Sequence, residues 1–351
     1  MQALRMDDGR QDDTGPRALT AAELAHLEEH GYVIARQILR RDDFTPLVRD
    51  YAKLVEEKAI GLKAEGKIED VCADSDFEHR LARIAAQCSD EVLRDDLGPW
   101  GVEIDTMYAL QRGCFDFFFS PRLLRAVQSI VGPEITLNPI QHLRPYLPMR
   151  GDAHVDIGAA SLAPWHQDQG VTREEADASA ILTCWIPLVD ATAEKGCLQV
   201  IPGRVAGGLM PHVKSDYGTT IDPAVLPPDT QGVTCEMQRG DILFMNRFCP
   251  HRGTVNRSVD SVRWSIDLRF QKTGEPTGRH FWPEFVLQSP SDSQSVQDSY
   301  DEWCARWRHD LPLSKGQRWH RVAGDVGGAI ARRAFNAQGE ERGSETPSWQ
   351  Q

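Results

Sequence analysis

Residues 241–270, DILFMNRFCPHRGTVNRSVDSVRWSIDLRF, contain two apolar runs on either side of a polar loop. The first run, DILFMN, and the last, VRWSIDLRF, have the length and residue types of short β-strands. Similar runs, separated by Gly and Pro turn signals, occur from about residue 134 onward: EITLNPIQHL, ILTCWIPLVD, GCLQVIPG and GVTCEMQ. This pattern predicts a mainly β domain, a sandwich or jelly roll.

The part of the chain before these runs has helix signals. Thr20 is placed to cap a helix that Gly31 ends, and a short strand, YVIARQI, should follow. A second helix is predicted over 43–64, and a third begins at Pro121 and ends at Gly132. We expect these helices to flank the β domain.

The two ends of the chain are polar and rich in turn residues. We predict tails at 1–18 and 324–351 and a single domain over 19–323. The longest apolar runs fall short of the ~18 residues of a membrane span, and the first residues lack the apolar centre of a signal peptide. We therefore expect a cytoplasmic protein.

The net charge and the cysteine spacing further restrict the class of protein. The formal net charge of −13 argues against a nucleic acid or an anionic membrane surface as the main partner. The eight cysteines include no Cys-x-x-Cys pair, which favours buried free thiols over disulfides or a zinc knuckle.

The stretch PWHQDQG at 164–170 places a histidine and an aspartate two residues apart. In an extended chain His166 and Asp168 lie on the same face, because side chains alternate with a period of two. A metal needs a further ligand, and His251, just after the strand DILFMN, is the candidate. Two histidines and one carboxylate with open positions select non-haem Fe(II) for O2 chemistry. A second His-x-Asp pair, His154 and Asp156, lies in a loop-like setting, and we predict that it is not the ligand pair.

Arg263 and Ser265 also share one face of a predicted strand. A guanidinium offers a rigid fork to a carboxylate, and a neighbouring hydroxyl adds a hydrogen bond. The pair would suit the distal carboxylate of 2-oxoglutarate, whose other end chelates iron.

These motifs together resemble the phytanoyl-CoA dioxygenase family of Fe(II)/2-oxoglutarate oxygenases. The matching segments, in the order of the family, are PWHQD (164–168), LTCWIPLVDATAEKGCLQVIPG (182–203), GDILFMNRFCPHRGTVNRS (240–258) and RWSIDLRF (263–270). The resemblance implies a cupin-like double-stranded β-helix, iron bound by the three candidate ligands, and 2-oxoglutarate anchored by Arg263. It also implies that Trp185 and Gln141 line the cosubstrate pocket.

The sequence departs from the family pattern at two places. Arg204 and Val205 stand where the family often has Ser-His after Pro-Gly, and Gly253 stands where a serine often follows the third ligand. The second departure removes a hydroxyl that could contact the cosubstrate.

The expected activity is hydroxylation of an unactivated C–H bond of a small-molecule metabolite, with release of succinate and CO2. The same oxidising chemistry can also end in desaturation or cyclisation. Two rivals remain open at this point, a zinc-dependent hydrolase and a non-catalytic 2-oxoglutarate-binding protein. We expect a monomer or homodimer, assign His142 no role, and leave His212 open between loop packing and substrate contact.

Overall fold

The computed structural model describes residues 15–97, 110–151, 162–215 and 218–322, together with 334–335 and 341–342. The helices are α1 (Ala21–His30), α2 (Arg41–Ala64), α3 (Phe77–Gln87), α4 (Asp90–Val92), α5 (Arg112–Phe118), α6 (Pro121–Val131), α7 (Asp168–Val171) and α8 (Tyr300–Asp310). The strands are β1 (Tyr32–Ala35), β2 (Ile135–Leu137), β3 (His142–Tyr146), β4 (Leu182–Pro187), β5 (Gln199–Val200), β6 (His212–Ser215), β7 (Gly218–Ile221), β8 (Val233–Thr234), β9 (Ile242–Asn246), β10 (His251–Arg252), β11 (Arg263–Lys272), β12 (Phe285–Gln288), β13 (Ala334–Phe335) and β14 (Glu341–Arg342).

Two antiparallel sheets form the β domain. The major sheet has the order β1-β9-β4-β11-β2-β12, and β3 pairs with β11 on the same edge as β2. The minor sheet has the order β10-β5-β8. Together the sheets form a double-stranded β-helix of the jelly-roll type, which confirms the predicted fold class.

Strand β11 is central to the major sheet and is buried on both faces. Trp264, Ile266, Leu268 and Phe270 point to one face and are inaccessible to solvent. Helices cover that face, and the Phe77 ring of α3 stacks on Trp264 with ring centroids 4.6 Å apart. The other face of β11 is polar and lies toward the minor sheet. Helices therefore cover one face of the major sheet, and the polar side chains on the other face remain available for a functional site.

The predicted helix boundaries around α1 and α6 are confirmed. Thr20 and Glu23 form a reciprocal capping box at the start of α1, and Gly31, with φ 83°, ends it in the left-handed conformation. Ser120 caps α6, where Pro121 occupies the first turn. The strand predicted over YVIARQI ends at Ala35, because the chain turns at Gln37, whose φ is 52°.

Three of the longer helices were not predicted: α3, α5 and α8. The aromatic run CFDFFFS lies mostly in α5, where Cys114, Phe117 and Phe118 are buried. Gly113 allows α5 to approach α2, since a Cβ there would lie 2.5 Å from the Pro46 carbonyl oxygen.

The division into tails at 1–18 and 324–351 and one domain stays a prediction. Arg17, in the predicted N-terminal tail, pairs with Glu23 and donates to the Arg36 carbonyl oxygen. Near the other end, β13 and β14 pair antiparallel. Among the helices in the described ranges, none combines the length and the apolar character needed to cross a membrane.

Candidate active site

His166 and His251 face each other across an antiparallel bridge at the edge of the minor sheet. The amide of each residue donates to the carbonyl of the other, at 3.0 and 2.9 Å. Residues paired in this way direct their side chains to the same face of a sheet. The two imidazole centroids are 4.1 Å apart as a result.

Hydrogen bonds set the tautomer of both rings. Nδ1 of His166 lies 2.7 Å from the Pro164 carbonyl oxygen, and Nδ1 of His251 lies 3.0 Å from that of Cys249. A carbonyl only accepts, so each Nδ1 carries the hydrogen and each Nε2 keeps a lone pair. Both rings thereby present the nitrogen that a metal requires.

Asp168 completes the cluster from a different local structure than predicted. Asp168 is the first residue of the short helix α7, whereas the sequence predicted an extended chain through this position. The turn closes because the amide and hydroxyl of Thr172 both donate to the Asp168 carbonyl at 2.9 Å. Oδ1 still reaches the same point, 3.8 Å from Nε2 of His166 and 3.9 Å from Nε2 of His251.

The charge states of these groups suit a metal site. Burial, reinforced by the neighbouring His251, lowers the pKa of His166 to about 3, so the ring is neutral at physiological pH. Burial alone would raise the pKa of Asp168, but the Arg269 guanidinium and the two imidazoles hold it well below its usual value. A neutral imidazole and an ionised carboxylate are the forms that bind a cation.

The ligand atoms of His166, Asp168 and His251 all lie within 4.8 Å of one another, and within the described residues this is the cluster of His, Cys, Asp and Glu able to hold a metal. A cleft opens beside it. The lining includes His166, His251, Trp185 and Arg263. Four of the residues predicted from the sequence therefore meet in one cavity.

Arg263 lies in this cleft as a buried cation. Its guanidinium carbon is 4.4 Å from the centroid of the Tyr146 ring and 5.3 Å from that of Trp185. Nη1 donates to Ser265 Oγ at 2.7 Å, while Nε is buried without a hydrogen-bond partner. Burial lowers the pKa of Arg263 to about 10, which still leaves the group charged at neutral pH.

The remaining predicted residues fall into two groups. Trp185, which the family resemblance places at the cosubstrate pocket, is buried in a hydrophobic cluster and also lines the cleft. Gln141 is fully buried outside the cleft lining, where its amide donates to the Asn138 carbonyl at 3.1 Å. Its role at the cosubstrate stays a prediction. Gly253 lines the cleft and offers no side chain to a ligand.

His212 supports the ligand segment from behind. Its Nδ1 donates to the Met210 carbonyl at 2.7 Å, and its Nε2 accepts from the Gln167 amide at 3.1 Å. The ring is packed so closely on Gly170 that a Cβ there would lie 2.3 Å from it. These contacts favour the packing role over substrate contact. The alternative pair His154 and Asp156 lies outside the described residues.

Three polar residues beside the cluster were not predicted from the sequence. Arg269, Asp267 and Thr183 are buried, and Arg269 and the Thr183 hydroxyl both donate to Asp168. The signal was available for two of them, because alternation along β11 places positions 267 and 269 on the same face as Arg263.

The site combines a three-residue cluster that can hold a metal with the buried cation Arg263 in the same cleft. Such a site suits a ligand that chelates the metal at one end and carries an anionic group at the other. This is the arrangement of the Fe(II)/2-oxoglutarate oxygenases, built on a double-stranded β-helix. The model of the phytanoyl-CoA dioxygenase (PhyH) family matches residues 16–263, well over half of the chain. The protein belongs to that family and is a 2-oxoglutarate-dependent iron dioxygenase.

Individual relatives are more distant. The chain is 27% identical over 271 residues to a 1-deoxypentalenic acid 11-beta-hydroxylase of Streptomyces arenae, covering 73% of this chain and 84% of that protein. It is 23% identical over 263 residues to a probable phytanoyl-CoA dioxygenase of Caenorhabditis elegans, covering 72% and 75%. Among solved structures, it is similar to the non-haem alpha-ketoglutarate-dependent carbocyclase SnoK from nogalamycin biosynthesis, with a TM-score of 0.46, 19% identity, and coverage of 80% of this chain and 92% of that one.

Proposed function

We propose that the protein hydroxylates a C–H bond of a small organic molecule at an iron held by His166 Nε2, Asp168 Oδ1 and His251 Nε2. The observation that carries the proposal is the pair of imidazole Nε2 atoms, each with its lone pair free and each within 3.9 Å of the same carboxylate oxygen. Two histidines and one carboxylate leave further coordination positions for cosubstrate and oxygen.

The donor set fits Fe(II). Imidazole and carboxylate are ligands for this ion, whereas the soft thiolates that favour other metals are absent from the described cluster. When bound, the iron couples the conversion of 2-oxoglutarate and O2 into succinate and CO2 to hydroxylation of the substrate. The contribution of the protein is to hold the ligands in place and to exclude water around them.

Arg263 is the proposed anchor of the distal carboxylate of 2-oxoglutarate. In the described part of the chain its side chain has one hydrogen bond, to Ser265, although the residue is only 2% exposed. A buried cation without an anion is costly, and a carboxylate in the cleft would offset that cost. The Tyr146 and Trp185 rings flank the guanidinium and restrict its orientation. Ser265 fixes one arm of the fork.

The lining of the cleft is mixed in character. Leu198 and Met245 contribute apolar surface, and Arg144 contributes a cation. The relative from Streptomyces arenae is named for hydroxylation of 1-deoxypentalenic acid, a carboxylic acid. We therefore propose a small organic molecule as substrate and choose organic acids as the first class to test.

We also propose that the enzyme works in the cytoplasm. All eight cysteines are free thiols and all are buried, which suits a reducing compartment. We propose a monomer or homodimer as its oligomeric state.

The expected product carries one added oxygen. Asp168 supplies an anionic oxygen at the position that a halide would need, so hydroxylation is expected even in excess chloride. The test is mass spectrometry of the products from organic-acid pools that stimulate succinate release, 1-deoxypentalenic acid among them, under labelled O2 with chloride present. A mass gain of one labelled oxygen supports the proposal. A chlorinated main product would contradict it, and a product lighter by two hydrogens would change the reaction to desaturation or cyclisation.

A further inference from the structure

The inner face of β11 carries a row of polar side chains. Arg263, Ser265, Asp267 and Arg269 alternate along the strand and are all buried. On the neighbouring strands β3 and β4, His142 and Trp185 lie opposite Asp267 in the sheet register. Arg263 has a proposed role with the cosubstrate, whereas Asp267 and Arg269 have none so far.

Arg269 donates two hydrogen bonds to the carboxylate of Asp168. Its Nε donates to Oδ2 at 3.2 Å and its Nη2 donates to Oδ1 at 3.1 Å. The Thr183 hydroxyl donates to Oδ2 as well. Oδ2 therefore receives two hydrogen bonds and Oδ1 one, and Oδ1 is the oxygen that faces the two imidazoles.

Asp267 also binds the Arg269 guanidinium. Nη1 of Arg269 donates to Asp267 Oδ1 at 2.9 Å, and the same carboxylate contacts His142 Nδ1 at 2.6 Å and Arg144 Nε at 3.2 Å. A planar guanidinium that is hydrogen-bonded to two carboxylates has little freedom to rotate. The orientation of Asp168 is thus set by a network that is buried apart from Arg144, whose side chain is 20% exposed.

We propose that Arg269 is a positioning residue for the metal site, which makes Asp168 a ligand through Oδ1 alone. This inference rests on the proposed function, in which Asp168 binds the iron. With Oδ2 occupied by Arg269 and Thr183, the carboxylate is kept from swinging to offer both oxygens to one ion. A one-oxygen ligand preserves the coordination positions that the cosubstrate and oxygen need.

Charge and orientation predict opposite results when Arg269 is changed. If its charge dominated, removing a cation from beside the ligand would strengthen the binding of a second cation, Fe(II). If orientation dominates, removal weakens binding, since groups that hydrogen-bond to metal ligands typically contribute roughly 10- to 100-fold in metal affinity. We expect orientation to dominate, because the buried carboxylate would otherwise lose a bidentate partner without access to water.

The test compares Arg269→Gln, Arg269→Lys and Thr183→Val with the unaltered full chain. Fe(II) affinity is measured anaerobically on the metal-free proteins, and their urea unfolding is measured in parallel. We expect both Arg269 variants to bind Fe(II) roughly 10- to 100-fold more weakly. The lysine keeps the charge but not the fork, so it should not restore affinity. Thr183→Val should show a smaller loss in the same direction.

Arg36→Gln is the matched control, because Arg36 donates to the buried Asp241 carboxylate at 2.7 Å and is not among the residues that line the cleft. It should change unfolding but leave Fe(II) affinity close to that of the unaltered chain. Unchanged or tighter Fe(II) binding in folded Arg269→Lys or Thr183→Val would overturn the proposal, as would an equal loss in Arg36→Gln. A His166→Ala protein that binds Fe(II) normally would instead refute the proposed function, so the two failures are distinguishable.

Discussion

We expect Fe(II) binding and 2-oxoglutarate turnover to be lost in each of three folded variants, His166→Ala, Asp168→Ala and His251→Ala. Each substitution removes one of three atoms that meet within 4.8 Å, and two donors bind an exchangeable ion poorly. The loss should exceed the roughly 10- to 100-fold that removal of an outer hydrogen-bond partner costs. Anaerobic Fe(II) titration and succinate release measure the two effects.

His309→Ala is the control for this series. His309 is 80% exposed on α8, away from the cleft, so its removal should leave Fe(II) binding and turnover unchanged. His154→Ala tests the alternative histidine and should behave like the control. The assignment is wrong if His154→Ala abolishes Fe(II) binding and His166→Ala does not.

Arg263→Gln should raise the KM for 2-oxoglutarate with little effect on Fe(II) affinity. A charge-assisted hydrogen bond contributes about 1.5 to 3 kcal/mol, equivalent to roughly a 10- to 150-fold change in affinity. The folded protein should not lose stability in proportion, because Arg263 is buried without a paired carboxylate in the described residues. Steady-state kinetics and urea unfolding separate the two quantities.

Arg308→Gln serves as the charge-matched control, since Arg308 is exposed on α8. Ser265→Ala should have an intermediate effect, because the serine orients Arg263 and leaves the charge in place. An Arg263→Gln enzyme with an unaltered KM for 2-oxoglutarate would show that the cosubstrate binds elsewhere.

Much of the fold could be predicted because local signals agree with the tertiary structure. Helix α1 begins where the Thr20 hydroxyl accepts from the Glu23 amide and ends where the Gly31 amide donates to the Leu27 carbonyl, and both contacts depend on neighbouring residues only. The strands of the β domain likewise follow from apolar runs between turns. The convergence of His166 and His251 could be inferred because a β-bridge brings distant residues with compatible chemistry to one face.

Other features depend on packing that the chain order does not reveal. Asp168 was expected on a strand, but the Thr172 contacts close a helical turn there. Helix α3 was missed because it is stabilised by burial against β11, through Phe77 and Trp264. The link between Asp168 and Arg269, which are 101 positions apart, becomes apparent only when the sheet register is known.

The most direct test of an Fe(II)/2-oxoglutarate site at His166, Asp168 and His251 is the anaerobic absorption spectrum of the Fe(II)-loaded protein during addition of 2-oxoglutarate. Chelation of Fe(II) by an α-keto acid gives a visible charge-transfer band, which a zinc hydrolase site would not produce. We expect one band that saturates at one 2-oxoglutarate per chain, is lost in His166→Ala, and needs much more 2-oxoglutarate in Arg263→Gln. A protein without this band, or one whose band survives unchanged in His166→Ala, would contradict this assignment.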